Sequence, residues 1–143
     1  MKGRLVGILA LALAARATGA ARTSSRPPPD GFYSADQAKR GKIRYTTSCA
    51  ACHQGDLSGT LSGDTGAPPL RGEPFKAFIQ GWDARRLFDY VKATMPADDP
   101  STLTDDGYLD ILAYLFQVND LPAGSQELGL AQLAQIRLSE VKQ

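Results

Sequence analysis

The sequence is poor in the side chains on which most enzymes rely: its 143 residues include one histidine, two cysteines, two methionines and one tryptophan. If His53, the single imidazole, is committed to one task, no second histidine remains to serve as a general base. Excess charge of either sign is also missing, with 16 basic against 15 acidic residues, so no basic face for nucleic acid is expected. No apolar run approaches the roughly 20 residues that a membrane-spanning helix needs. The longest, residues 5–15, follows Lys2 and Arg4 and leads into Ala17, Thr18, Gly19, Ala20 and Ala21. That order reads as a secretory signal peptide over residues 1–20 rather than a permanent span. Strand-like alternation and internal repeats are absent as well, which leaves an all-α class with much irregular chain.

Export would remove Lys2, Arg4 and Arg16, leaving 13 basic against 15 acidic residues and a net charge of −2. Residues 21–30, with Thr23, Ser24 and Ser25 ahead of Pro27, Pro28 and Pro29, have too little apolar content to pack and read as a flexible linker. One domain follows over residues 31–143. Ser34 and Gln37 form a capping-box pattern ahead of a first helix over about residues 35–47. The stretch between Cys52 and Ile79, punctuated by Gly55, Gly59, Gly63, Gly66, Gly72, Pro68 and Pro69, reads as a long loop.

Asp83 is placed to cap a middle helix whose Ala84, Leu87, Phe88 and Val91 share one face, and Pro96 forces Met95 out of helical geometry. Thr104 opens a last helix with Tyr108, Ile111, Leu112, Leu115 and Val118 on one stripe and Asp105 and Asp106 at its positive end. That helix should stop near Asn119. Three main helices are therefore expected, followed by a C-terminal extension from about residue 124. Within it Leu128, Leu130, Leu133, Ile136, Leu138 and Val141 suggest a further, weakly amphipathic helix over residues 126–141.

Cys49-Ala50-Ala51-Cys52-His53 is the Cys-x-x-Cys-His pattern of c-type haem attachment. Two thiols three positions apart can add to two vinyl groups on one porphyrin edge, and the adjacent imidazole is then held beneath the iron. Its other ring nitrogen would donate to a backbone carbonyl. Competing uses fit less well. A thioredoxin-like pair lacks its βαβ context, a zinc site would have to borrow carboxylates, and a disulfide would close a very small loop and leave His53 without a task.

Ligand counting narrows the rest. A second histidine ligand from this chain is impossible, and Met1 would leave with the signal peptide, so the sixth iron position falls to Met95, a lysine, water or nothing. Met95 precedes a proline just after a helix, a poor place for a core filler and a good one for a chain edge facing a cofactor. His/Met ligation raises the reduction potential and closes the iron to substrate, which implies electron transfer. A labile or missing Met95 bond would instead imply a haem enzyme or a sensor of small molecules.

Four further stretches accompany the motif: Gly41 with Tyr45 upstream of it, Pro68-Pro69-Leu70-Arg71-Gly72 downstream, Thr94-Met95-Pro96, and Asp110-Ile-Leu-Ala-Tyr-Leu115 in the last helix. Over about residues 30–136 they resemble the class I cytochrome c family. The resemblance implies that Gly41 and Tyr45 on the first helix pack against Ile111 and Tyr114, glycine permitting the close crossing. It implies that the Pro68 carbonyl accepts the imidazole hydrogen bond, that Leu70 lines the haem pocket, and that Met95 is the axial thioether. It further suggests that the Trp82 indole reaches a haem propionate, although its spacing differs from that of family members.

Gln54-Gly-Asp-Leu57-Ser-Gly59, Phe75, Trp82, Met95-Pro-Ala-Asp98 and Asn119-Asp-Leu-Pro-Ala-Gly124 are similar to bacterial cytochromes that serve quinoprotein alcohol dehydrogenases. The partner this implies is a periplasmic dehydrogenase or a respiratory complex, met either as a free carrier or as a fixed subunit. Gly107 departs from that subgroup, standing where an acidic capping residue is usual, and implies a looser start to the last helix. A mixed ring of Lys39, Lys42, Arg71, Lys76, Arg85 and Arg86 is a candidate for steering partners.

Overall fold

The computed structural model describes residues 30–60 and 66–138. The expected signal peptide, all of the expected linker but Asp30, and residues 139–143 of the tail lie outside that range. The elements run β1 (Tyr33–Ser34), α1 (Ala35–Ser48), α2 (Ala50–His53), α3 (Gly72–Phe78), α4 (Ala84–Thr94), α5 (Asp105–Val118) and β2 (Ala123–Gly124), then a 3₁₀ turn over Leu133–Gln135. The architecture is mostly helical, as expected, and its organising element is α5, whose residues from Gly107 to Phe116 are all buried.

Side-chain caps start the three long helices. Ser34 Oγ accepts from the Gln37 N–H at 3.1 Å, an Asp83 carboxylate oxygen from the Arg86 N–H at 2.8 Å, and Thr104 Oγ1 from the Gly107 N–H at 3.2 Å. Each satisfies a donor that has no partner within its helix. The last of these shows that α5 begins with an ordinary cap despite Gly107. Only half of the expected capping box forms on α1, because the Gln37 side chain turns inward. Its Nε2 donates to the Leu128 carbonyl at 3.0 Å, and the Leu128 N–H donates back to Oε1 at 2.7 Å.

Helices α1 and α5 cross at Gly41. A Cβ there would stand 1.8 Å from the Asp110 carbonyl oxygen and 3.0 Å from the Tyr114 Cβ, so glycine is required by contact. Tyr45 and Tyr114 pack tilted beside the crossing with ring centroids 5.4 Å apart. The Asp110 side chain, 4% exposed, receives Arg40 and Arg44 of α1 at 3.0 Å each, and Arg40 also reaches Glu127 at 2.9 Å. The crossing is thus fixed by van der Waals fit at its centre and by two guanidinium groups at its rim.

Three expectations need correction. Helix α3 lies inside the stretch read as loop; its glycine and proline fall in the first turn, where both are tolerated because the backbone donors there are unpaired anyway. Among its described residues, up to Leu138, the tail is not a helix beyond the single 3₁₀ turn. Its Leu128, Leu133, Ile136 and Leu138 are buried as the pattern suggested, but other elements take up its backbone groups. The Ala84 N–H donates to the Ile136 carbonyl at 2.9 Å, and the Leu138 N–H to the Trp82 carbonyl at 3.0 Å. A short parallel pairing of Tyr33 with Ala123 and Ser34 with Gly124 also exists, tying the start of the domain to the beginning of the extension.

Candidate functional site

The end of α1 delivers the chain to Cys49, which is the N-cap of the single turn α2. The N–H groups of Cys52 and His53 both donate to the Cys49 carbonyl, at 3.2 and 3.0 Å. This turn gathers two thiols and one imidazole. Both cysteines are free, Cys49 half-buried and Cys52 exposed. Burial first, and the neighbouring Cys52 second, push the free Cys49 thiol up to about 11.

His53 is buried, 6% exposed. Its Nδ1 stands 2.8 Å from the Pro68 carbonyl oxygen. A carbonyl can only accept, so Nδ1 carries a proton, and in the neutral tautomer that this selects, Nε2 presents the lone pair. Among the described residues Nε2 has no hydrogen-bond partner. An imidazole anchored through one nitrogen and free at the other has the stance of a metal ligand.

The Pro68 carbonyl is held in place by an approach of two chain segments. The Gly59 N–H donates to the His53 carbonyl at 3.0 Å, and the Thr60 N–H to the Ala67 carbonyl at 2.8 Å. Thr60 Oγ1 accepts from the Ala67 N–H and donates to the Cys52 carbonyl, each at 3.1 Å. Gly59 has a φ of +74°, and a Cβ there would lie 2.5 Å from the Ala67 oxygen, so only glycine lets the strands meet. Half-buried Leu70 follows, its N–H bonded to the Leu57 carbonyl at 2.9 Å.

Asn119, buried at the C-terminal end of α5, completes the support. Its Nδ2 donates to the Leu70 carbonyl at 3.0 Å and its Oδ1 accepts from the Gly72 N–H at 2.9 Å. The sequence marked Asn119 as a helix end and as the first residue of the 119–124 stretch, but not as a support for the Leu70 segment. An amide at that position is the one signal that could have pointed to it.

Met95 is half-buried and extended, with φ −131° and ψ 146°, as the residue before a proline must be. Its N–H donates to the Val91 carbonyl at 2.8 Å, and its own carbonyl accepts from the Tyr108 hydroxyl at 2.8 Å. Trp82 belongs to a separate cluster. Its ring packs against Phe78 at 5.0 Å and Tyr90 at 5.5 Å, and the Arg86 guanidinium lies 4.3 Å above its face. Its indole N–H has no protein partner among the described residues.

The charge ring is largely self-compensated. Lys39 pairs with Asp36 at 2.8 Å, Arg71 with Asp56 at 3.4 Å, Lys76 with Glu73 at 3.7 Å and Arg85 with Asp89 at 2.9 Å. Paired surface charges create little long-range field, which weakens the case for steering by this ring.

The donor set fits an iron porphyrin better than a bare ion. Among the described residues no three His, Cys, Asp or Glu side chains gather into an ion site, whereas free thiols and an Nδ1-anchored imidazole occupy one turn. With a helical frame built on the α1–α5 crossing, these features define a c-type cytochrome domain. The chain belongs to the family described as cytochrome c oxidase, cbb3-type, subunit III, whose model matches residues 36–115. Membership implies a covalently held haem c with its iron, and haem-based electron transfer.

Among solved structures, the sulfane dehydrogenase SoxCD from Paracoccus pantotrophus is similar, with a TM-score of 0.58 at 23% identity over 83% of this chain and 63% of that one. The likeness concerns the fold, and this chain spans less than two thirds of that one. No curated protein matches the chain.

Proposed function

We propose that this chain is an exported electron carrier with one haem c, bound through Cys49 and Cys52 and ligated by His53 and Met95. The observation that carries the reading is the 2.8 Å bond between His53 Nδ1 and the Pro68 carbonyl. It leaves Nε2 without a hydrogen-bond partner among the described residues, on the same turn as Cys49 and Cys52. When bound, the haem iron supplies a one-electron couple.

The chain's own residues then have distinct tasks. Cys49 and Cys52 fix the porphyrin edge. Pro68 orients the imidazole and, by accepting its hydrogen bond, makes it a stronger donor to iron. Leu70 and Met95 would line the haem pocket and limit water there, and Trp82, whose indole N–H has no protein partner among the described residues, would donate to a propionate. Export to the periplasm is supported by the pattern of residues 1–20. A periplasmic dehydrogenase or respiratory complex is the electron partner, and the similarity around residues 54–59 and 119–124 favours a quinoprotein alcohol dehydrogenase as donor.

Production in a bacterial host equipped for haem attachment tests the ligand set. Haem should resist acidified-acetone extraction, the oxidised protein should show the weak far-red sulfur-to-iron band, and the reduced protein should not take up carbon monoxide. Met95→Ala should abolish the band and admit carbon monoxide. A wild-type protein that binds carbon monoxide readily would overturn the carrier reading in favour of a sensor or enzyme.

A further inference from the structure

We propose that Tyr108 is a positioning residue for Met95, and that its hydroxyl governs how easily the thioether can be displaced by an outside ligand. The inference rests on the His53/Met95 reading above and deepens it. Both peptide groups that flank the Met95 Cα are fixed: its N–H by the Val91 carbonyl at 2.8 Å, and its C=O by the Tyr108 hydroxyl at 2.8 Å. With those two planes held, the Cα–Cβ direction is set and only side-chain rotamers remain to be ordered when the thioether binds. A ligand presented from a fixed backbone loses less entropy on binding than one presented from a loose loop.

The two clamps differ in kind. The Val91 bond is local, the last turn of α4 closing on itself, and it orients Met95 only relative to that helix. The Tyr108 bond crosses to α5. Tyr108 is fully buried, 0% exposed, and meets the Phe88 ring edge-on with centroids 6.3 Å apart. Its hydroxyl therefore refers Met95 to the rigid centre of the domain. Asn119, on the same helix, bonds Leu70 and Gly72 on the segment that carries Pro68. One buried helix thus bonds both the segment that carries Met95 and the segment that follows Pro68. Lys92, paired with Asp105 at 2.6 Å, ties the end of α4 to the start of α5 nearby, but it acts through exposed charges and leaves the Met95 peptide itself untouched.

Tyr108→Phe deletes the hydroxyl and keeps the ring. Tyr33→Phe is a matched control: Tyr33 is also buried, and its hydroxyl donates to the Leu121 carbonyl at 3.0 Å, far in sequence from Met95. The measurement is displacement of the far-red sulfur-to-iron band by added imidazole in the oxidised, haem-loaded full chain. A neutral hydrogen bond contributes about 0.5–1.5 kcal/mol, so Tyr108→Phe should tighten imidazole binding by about 3- to 10-fold. Tyr33→Phe should leave it unchanged while lowering thermal stability. Unchanged imidazole affinity in Tyr108→Phe, or an equal shift in both variants, overturns the proposal. Absence of the band from the wild-type protein would instead overturn the ligand reading, and this inference with it.

Discussion

Gly41→Ala is expected to be among the most damaging single-methyl additions in this protein. The added Cβ would stand 1.8 Å from the Asp110 carbonyl oxygen, whereas real Cβ atoms essentially never come within 3.0 Å of a neighbour. The obstacle is backbone inside a buried helix, so no side chain can swing aside. Relief requires α1 and α5 to part by roughly 1.2 Å, and a gap of about 1 Å already forfeits up to half of a contact's dispersion energy. The same movement would stretch the Arg40 and Arg44 bonds to Asp110 from 3.0 Å past useful length.

Overpacking typically costs about 1–3 kcal/mol, and an unyielding backbone contact puts this case at about 3. For a domain of this size that lowers the melting temperature by roughly 10–20 °C. The reference is Gly55→Ala, where a Cβ would meet nothing within 4 Å and φ is ordinary; it should be neutral or stabilise by about 0.5 kcal/mol. Calorimetry of both haem-loaded variants is the assay. A Gly41→Ala protein that melts within ~3 °C of wild type would refute the contact-based account of the crossing.

Asp110→Asn should cost about 1–3 kcal/mol in urea denaturation, less than a fully buried pair would, because Arg40 and Arg44 remain about two-fifths exposed and can return to water; no loss would mean that the rim pairs contribute nothing. Gln37→Ala strands the Leu128 N–H and C=O, so about 2 kcal/mol should be lost and the Leu128 amide should exchange with solvent much faster; unchanged exchange would show that the tail is held by its leucines alone. Burial is the leading cause that raises the hydroxyls of Tyr33, Tyr45 and Tyr114 above the usual tyrosine range. The unfolded chain then releases those protons near pH 10 while the folded one keeps them, so their contribution is complete below about pH 10 and stability falls above it. Tyr45→Phe should shallow that decline between about pH 10 and 11.5, whatever it does to stability at pH 7, and an unchanged slope would reject burial of Tyr45 as a cause.

The parts of this structure that could be read from sequence are those whose meaning is local. Cys49, Cys52 and His53 fall on one turn, so their spacing alone carried the haem reading, and Asp83 and Thr104 announced helix starts because a cap acts within three residues. The tail shows the limit. Leu128, Leu133 and Leu138 marked burial correctly while Leu130 is exposed, and burial at helical spacing does not ensure a helix when Gln37, Ala84 and Trp82 take up the backbone groups that a helix would have paired within itself. Helix α3 was hidden for the opposite reason, its Gly72 reading as a loop signal although it stands in the first turn. Tyr108 stood on the apolar stripe and Asn119 in the 119–124 stretch, but their hydrogen bonds bore no signature, since the partners are backbone carbonyls and amides, which nearly every residue possesses.

That last point follows from what such a domain must enclose. A cofactor in place of a packed core leaves the chain around it irregular, and irregular chain cannot pair its own backbone groups. Here buried polar side chains of the ordered elements do that work: Gln37 of α1 on Leu128, Tyr33 of β1 on Leu121, Tyr108 of α5 on Met95, and Asn119 at the end of α5 on Leu70 and Gly72. Each bond ties an irregular segment to an ordered element. Among the described residues no buried side-chain nitrogen or oxygen is left unpaired, so the arrangement holds the irregular segments without stranding a polar atom. A substitution that removes one of these side chains should therefore loosen a segment more than it unfolds the domain, and the loosened segment is the one its backbone partner names.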